Sequence, residues 1–111
     1  MTTLERTTFA PTEALYLSLN QEAAPLAWCE LQRFFAQGRV LWVSETLDFI
    51  AVAALIAQDD VAQIAALTAN GTLVPVSDQQ ARQWLATEAQ LWTVVVKPWI
   101  LVQEISLQSV R

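Results

Sequence analysis

The chain has 111 residues, of which 54% are hydrophobic and 15% charged, a balance that suits one globular domain and excludes a charge-rich disordered polymer. Eleven acidic residues against six basic ones give a net charge of −5, which argues against partners such as nucleic acid or anionic membrane, whose binders collect lysine and arginine. With no histidine, one cysteine and two glycines, the chain also lacks the parts of a Cys–His site, a histidine metal site, an internal disulfide or a glycine-rich phosphate loop.

Residues 1–11 read as an N-terminal tail ending at Pro11, residues 12–106 as a single domain, and residues 107–111 as a C-terminal tail. The opening MTTLERTTFAPTE is polar where a signal peptide needs an apolar core. The longest apolar runs fall short of the roughly 20 residues that span a bilayer. The expected location is the cytoplasm.

Thr12 and Glu13 open a first helix in which Leu15 and Leu19 share a stripe. In PLAWCELQRFFAQG, residues 25–38, Trp28, Leu31 and Phe35 fall at i, i+3 and i+7, which predicts an amphipathic helix with Pro25 in its first turn and Gly38 as its C-cap. RVLWVS, residues 39–44, is β-branched and reads as a strand, with Val40 and Trp42 on one face and Leu41 and Val43 on the other. TLDFIAVAALIAQDD, residues 46–60, is apolar nearly all round and suits a buried helix. Asp59 or Asp60 caps the helix that follows, VAQIAALTAN, which Gly71 closes.

TLVPVS, residues 72–77, predicts a second strand, placed at a sheet edge or bulge because Pro75 has no N–H to donate. Ser77 with Gln80 matches a capping box that opens a short helix through Trp84 and Leu85. LWTVVVKPWILVQE, residues 91–104, favours strand, and Pro98 splits it into a bend or hairpin. The expected fold is therefore α+β: a small antiparallel or mixed sheet of three to four strands packed by four to five helices. Part of that order, with LIAQDDVAQIAALTANGTLV as a helix-turn-helix entering a wing, is winged-helix-like.

A winged helix invites a search for DNA contacts, and the recognition helix fails it. Residues 61–70 contain no lysine or arginine, and Asp59 and Asp60 sit where a phosphate would be received. Enzymatic chemistry lacks candidates too. No serine stands in a G-x-S-x-G turn, and Cys29 beside Trp28 reads as a small core residue, so no catalytic residue, metal or cofactor is assigned.

Two constellations remain. Asp48, Asp59 and Asp60 bracket one helix and are the candidate ion or ligand residues, with Arg39 or Arg82 in support. A helix of about a dozen residues holds its ends roughly 16 Å apart, so convergence needs another element, and helix capping explains the same aspartates. Five tryptophans are the most unusual compositional fact. Trp28 and Trp84 fall on apolar helical stripes and read as core, while Trp42, Trp92 and Trp99 are the candidate interaction surface for a protein partner or a second copy of the chain.

The segments together resemble a small prokaryotic family, domain of unknown function 2288. Its pattern has a helix with a tryptophan and E/L-x-x-F before a strand, then SLDLVEV, an acidic DD or DN turn, a PS or VS helix cap and a terminal P-[WYF]-VLVQ. Trp28, Leu31 and Phe35 fit the first part, and Thr46-Leu47-Asp48-Phe49-Ile50 the second. Asp59-Asp60 fit the turn, Val76-Ser77 the cap, and Pro98-Trp99-Ile100-Leu101-Val102-Gln103 the end. Ala51 stands where the pattern has a glutamate, so a function resting on that carboxylate is in doubt here. The resemblance implies a bacterial cytoplasmic protein and supplies no activity. The leading expectation is a non-enzymatic domain working through protein contact, self-association included; the alternative is a small-molecule or divalent-ion binder using the three aspartates.

Overall fold

The computed structural model describes residues 13–105. The expected tails at 1–11 and 107–111, and the outermost residues 12 and 106 of the expected domain, lie outside the described residues. The architecture is α+β, a five-stranded mixed sheet with helices on both faces. Helix α1 covers residues 13–22. Strand β1 (Ala24–Ala27), a 3-10 turn (Trp28–Glu30), α2 (Gln32–Ala36) and β2 (Val40–Val43) follow. Then come α3 (Phe49–Ala57), α4 (Val61–Ala69), β3 (Leu73–Pro75), α5 (Asp78–Ala86), β4 (Gln90–Val96) and β5 (Trp99–Glu104).

The strands lie in the order β1-β4-β5-β2-β3, antiparallel except for the parallel β2–β5 pair. The sticky C-terminal run is thus the β4–β5 hairpin, turning at Lys97-Pro98, and β5 is the middle strand. A central strand covered by helices on both sides must be apolar on both faces. Ile100, Leu101 and Val102 are all buried accordingly. Burying each such side chain contributes about 1.5–3 kcal/mol.

The sheet has one strand more than the three to four expected, because PLAWCELQRFFAQG is not one helix. Its first residues belong to β1, pairing Pro25 with Trp92 and Leu26 with Leu91, and only Gln32–Ala36 is α-helical. The ladder along β4 offers more hydrogen bonds than an isolated helical turn, and tertiary pairing overrides local periodicity. Pro25 is tolerated because β1 is an edge strand. The apolar spacing still reports packing: Trp28 and Leu31 are buried and Phe35 is packed against them.

The other elements match their sequence signals. Asp48 caps α3, its carboxylate accepting from the backbone N–H groups of Ile50 (3.1 Å) and Ala51 (3.2 Å). Asp60, of the two aspartates, caps α4 through the Gln63 N–H at 3.2 Å. The Ser77–Gln80 capping box is complete at the start of α5. Pro75 lies in β3, the other edge strand. Gly71 closes α4 with φ +76°, the left-handed geometry that a helix C-terminus needs. The α3–α4–β3 order of a winged helix is present, but the chain leaves β3 for α5 instead of returning in a wing hairpin.

Strand alternation divides the core in two. Val94, Val96, Leu101 and Val43 pack with α1 and with Phe49, Val52, Ala53 and Ala54 of α3. Val40, Ile100, Val102 and Leu91 pack on the opposite face against Trp28, Leu31 and Trp84.

Candidate functional site

The five tryptophans separate into three situations. Trp28 and Trp84 are buried and meet edge to face, ring centroids 5.1 Å apart, with Phe35 a further 5.5 Å from Trp28. Trp84 also donates its indole N–H to a Glu104 carboxylate oxygen at 3.4 Å. These two are core, as their helical spacing predicted, whereas Cys29, expected in the core beside Trp28, is exposed, because the 3-10 turn directs its side chain outward. Trp42 lies on the same sheet face, half-buried, with its indole nitrogen buried and without an acceptor among the described residues.

Trp92 and Trp99 are different. They sit on the α3 side of the sheet and keep 38% and 36% of their surface in water. The register pairs Trp92 with Gln103 and Val96 with Trp99, which places the two indoles on one face, about 14 Å apart along the hairpin. The candidate surface Trp42, Trp92 and Trp99 is therefore not one patch: alternation sends Trp42 to the opposite face from the other two.

The three aspartates are likewise distributed. Asp48 and Asp60 hold helix N-termini, as above. Asp59 adopts φ +57° just past the end of α3. There its N–H donates to the Ile56 carbonyl and the Asp60 N–H to the Leu55 carbonyl, both at 3.0 Å. This is the Schellman arrangement, usually given to glycine. Among the described residues no group of three or more His, Cys, Asp or Glu side chains is placed to hold a metal ion. Arg39 and Arg82 belong to other parts of the fold, Arg39 leading into β2 and Arg82 on α5.

Two open pockets flank the α3 side of the hairpin, one at each exposed tryptophan. The first, about 300 Å³, is lined by Asn20 and Ala23 of the α1 end, Phe49 and Ile50 of α3, Trp92 and Gln103. The second, about 380 Å³, lies at the hairpin tip, with Leu41, Ile56 and Ile64 as its apolar lining and Asp59, Lys97 and Trp99 beside them.

Gln103, Lys97 and Asn20 are lining residues that sequence reasoning passed over. Gln103 gave a signal as the end of the PWILVQ motif, an amide closing an apolar strand. Its Nε2 donates to the Ser44 carbonyl at 2.9 Å and the Leu47 carbonyl at 3.0 Å, clamping the β2–α3 loop onto β5. Lys97 gave a signal as the only lysine of the chain, set against the proline of the turn.

Most residues that carry the family likeness are thus fold-makers. Asp48 and Ser77 cap helices, Asp60 starts α4, Pro98 turns the hairpin and Gln103 ties down a loop. Ala51, the departure from the pattern, is half-buried in the first turn of α3. No helix among the described residues is long and apolar enough to cross a membrane.

Comparison with known proteins agrees with this architecture. The chain is similar to PA1075 from Pseudomonas aeruginosa, a structure solved in solution by NMR, at 40% sequence identity and a TM-score of 0.75, over 86% of this chain and 88% of that one. No curated protein matches it. Residues 14–104 match the family described as protein of unknown function (DUF2288), spanning the first helix to the last residue of β5, and the chain belongs to that family.

Proposed function

We propose that this chain is a non-enzymatic cytoplasmic domain that works through protein–protein contact, self-association included. The observation that carries the reading is the pair Trp92 and Trp99, more than a third exposed on one sheet face while Trp28 and Trp84 are buried on the other. Large aromatic side chains left in water are the residues that dominate contact energies when a partner desolvates them. Leu17 of α1 and Val61 of α4 are exposed on the same side of the sheet.

The sheet edges favour contact through this face. Both edge strands, β1 and β3, are short and each contains a proline, Pro25 and Pro75. Short, proline-bearing edges resist strand addition by another chain.

Light scattering behind size exclusion, run over a wide concentration range, tests this. The expected result is a mass above that of the monomer which rises with concentration. Trp92→Ala and Trp99→Ala should each shift it toward monomer while leaving far-ultraviolet circular dichroism unchanged. A monomer at every concentration removes self-association, and unfolding by both substitutions shows the indoles to be core.

A further inference from the structure

We propose that the pocket at the hairpin tip is a binding site for a small zwitterion with an apolar side chain, the class of the aliphatic and aromatic α-amino acids. The pocket, about 380 Å³, falls in the size range of small-molecule sites. Leu41 from the sheet, Ile56 from α3 and Ile64 from α4 give it an apolar lining. Trp99 adds an indole that remains 36% exposed.

Two opposite charges line the same cavity, Lys97 at the hairpin turn and Asp59 at the α3–α4 junction. A ligand with a single charge would satisfy one of them and face repulsion from the other. A ligand that presents a carboxylate to Lys97 and an ammonium group to Asp59, with its side chain on the leucine and isoleucine lining, satisfies both. Specificity in such pockets comes from a few placed polar groups around an apolar floor.

The backbone supplies a comparison for Asp59. Four helices end in the same left-handed residue, and at two of these ends it is glycine, Gly38 and Gly71. At the other two it is acidic, Asp59 with φ +57° and Glu88 with φ +53°. Asp59 caps neither neighbouring helix, since Asp60 is the N-cap of α4. The Asp59 side chain thus has no capping duty, and what separates it from Glu88 is the cation, Lys97, in the pocket that it lines. Glu88 lines a different pocket, shared with Trp28, Cys29 and Gln90, whose lining among the described residues includes no cationic side chain, and it serves as the internal control.

The test is a two-dimensional ¹⁵N–¹H NMR titration of the intact chain with L-leucine and L-phenylalanine, beside leucinamide and N-acetyl-leucine as singly charged analogues. The expected result is saturable shifts confined to residues 40–42, 56–64 and 97–101, with each analogue weaker by about tenfold, the worth of one charge-assisted hydrogen bond. Asp59→Gly should raise the melting temperature and abolish the response, while Glu88→Gly raises the melting temperature and leaves the response intact. Lys97→Gln should weaken the zwitterion as well. The proposal is overturned by the absence of a saturable response at millimolar ligand, by equal responses to the analogues, or by an Asp59→Gly variant that binds as the parent does. Trp99 belongs to both the pocket and the proposed contact surface, so the titration is run at a concentration where light scattering gives the monomer mass, and failure of binding is then read separately from failure of self-association.

Discussion

The two faces of the sheet carry the same residue types and treat them differently. On the α5 side, Trp28 and Trp84 from two separate elements close over Leu91, Val102 and Ile100, and the aromatic rings lock edge to face. On the α3 side, the helices are rich in alanine and isoleucine and pack on Val94, Val96 and Leu101, with Ile50 and Ile56 of α3 lining the pockets at the two ends of the hairpin. Trp92 and Trp99 stand at those ends. One face therefore buries Trp28 and Trp84 in its core and the other leaves Trp92 and Trp99 at pocket mouths. Whether a tryptophan is core or surface is decided by how completely neighbouring side chains close over it, not by the residue: Val96 is buried while Trp99, its partner in the register, is not.

Identical truncations on the two faces should break this comparison most sharply. Trp28→Ala removes the hub of the aromatic cluster and should destabilise the protein by about 3–5 kcal/mol, read as a lowered urea midpoint. An effect near 1 kcal/mol would mean that the cluster is loosely packed. Gln103→Ala, on the other face, removes the side-chain donor to the Leu47 carbonyl and leaves the Ser44 carbonyl with the Leu47 N–H alone, and should cost about 1–3 kcal/mol. Because those carbonyls belong to the loop leading into α3, hydrogen exchange in residues 44–52 should rise more than elsewhere. Trp92→Ala gives a smaller change than Trp28→Ala. With more than a third of its surface already in water, its loss should cost about 2 kcal/mol of stability. A cost equal to that of Trp28→Ala would erase the distinction between the faces.

Local signals in the sequence read well because their physics is local. Asp48, Asp60 and the Ser77–Gln80 box satisfy helix N–H groups within three residues of themselves, so each is visible without knowledge of the fold. Gly38 and Gly71 mark helix ends for the same reason, and Pro75 and Pro98 mark a strand edge and a turn. The misread stretch is instructive. Trp28, Leu31 and Phe35 do share a core, yet Ala24–Ala27 is a strand because its hydrogen-bond partner is β4, more than sixty residues further along the chain. Periodicity reports which side chains are buried; it does not report which backbone they hang from when a ladder is available.

The sequence by itself determined the α+β class, the helix caps, the β4–β5 hairpin and the two core tryptophans, since each follows from capping chemistry, chain stiffness or apolar spacing. The tertiary structure alone decided that β5 lies in the centre beside a parallel β2, that Trp42 faces away from Trp92 and Trp99, and that Asp59 meets Lys97 around one pocket. Strand pairing joins segments tens of residues apart, and the face on which a strand side chain emerges depends on a register that only the assembled sheet fixes; Asp59 comes to the Lys97 pocket because α3 and α4 pack on that same sheet.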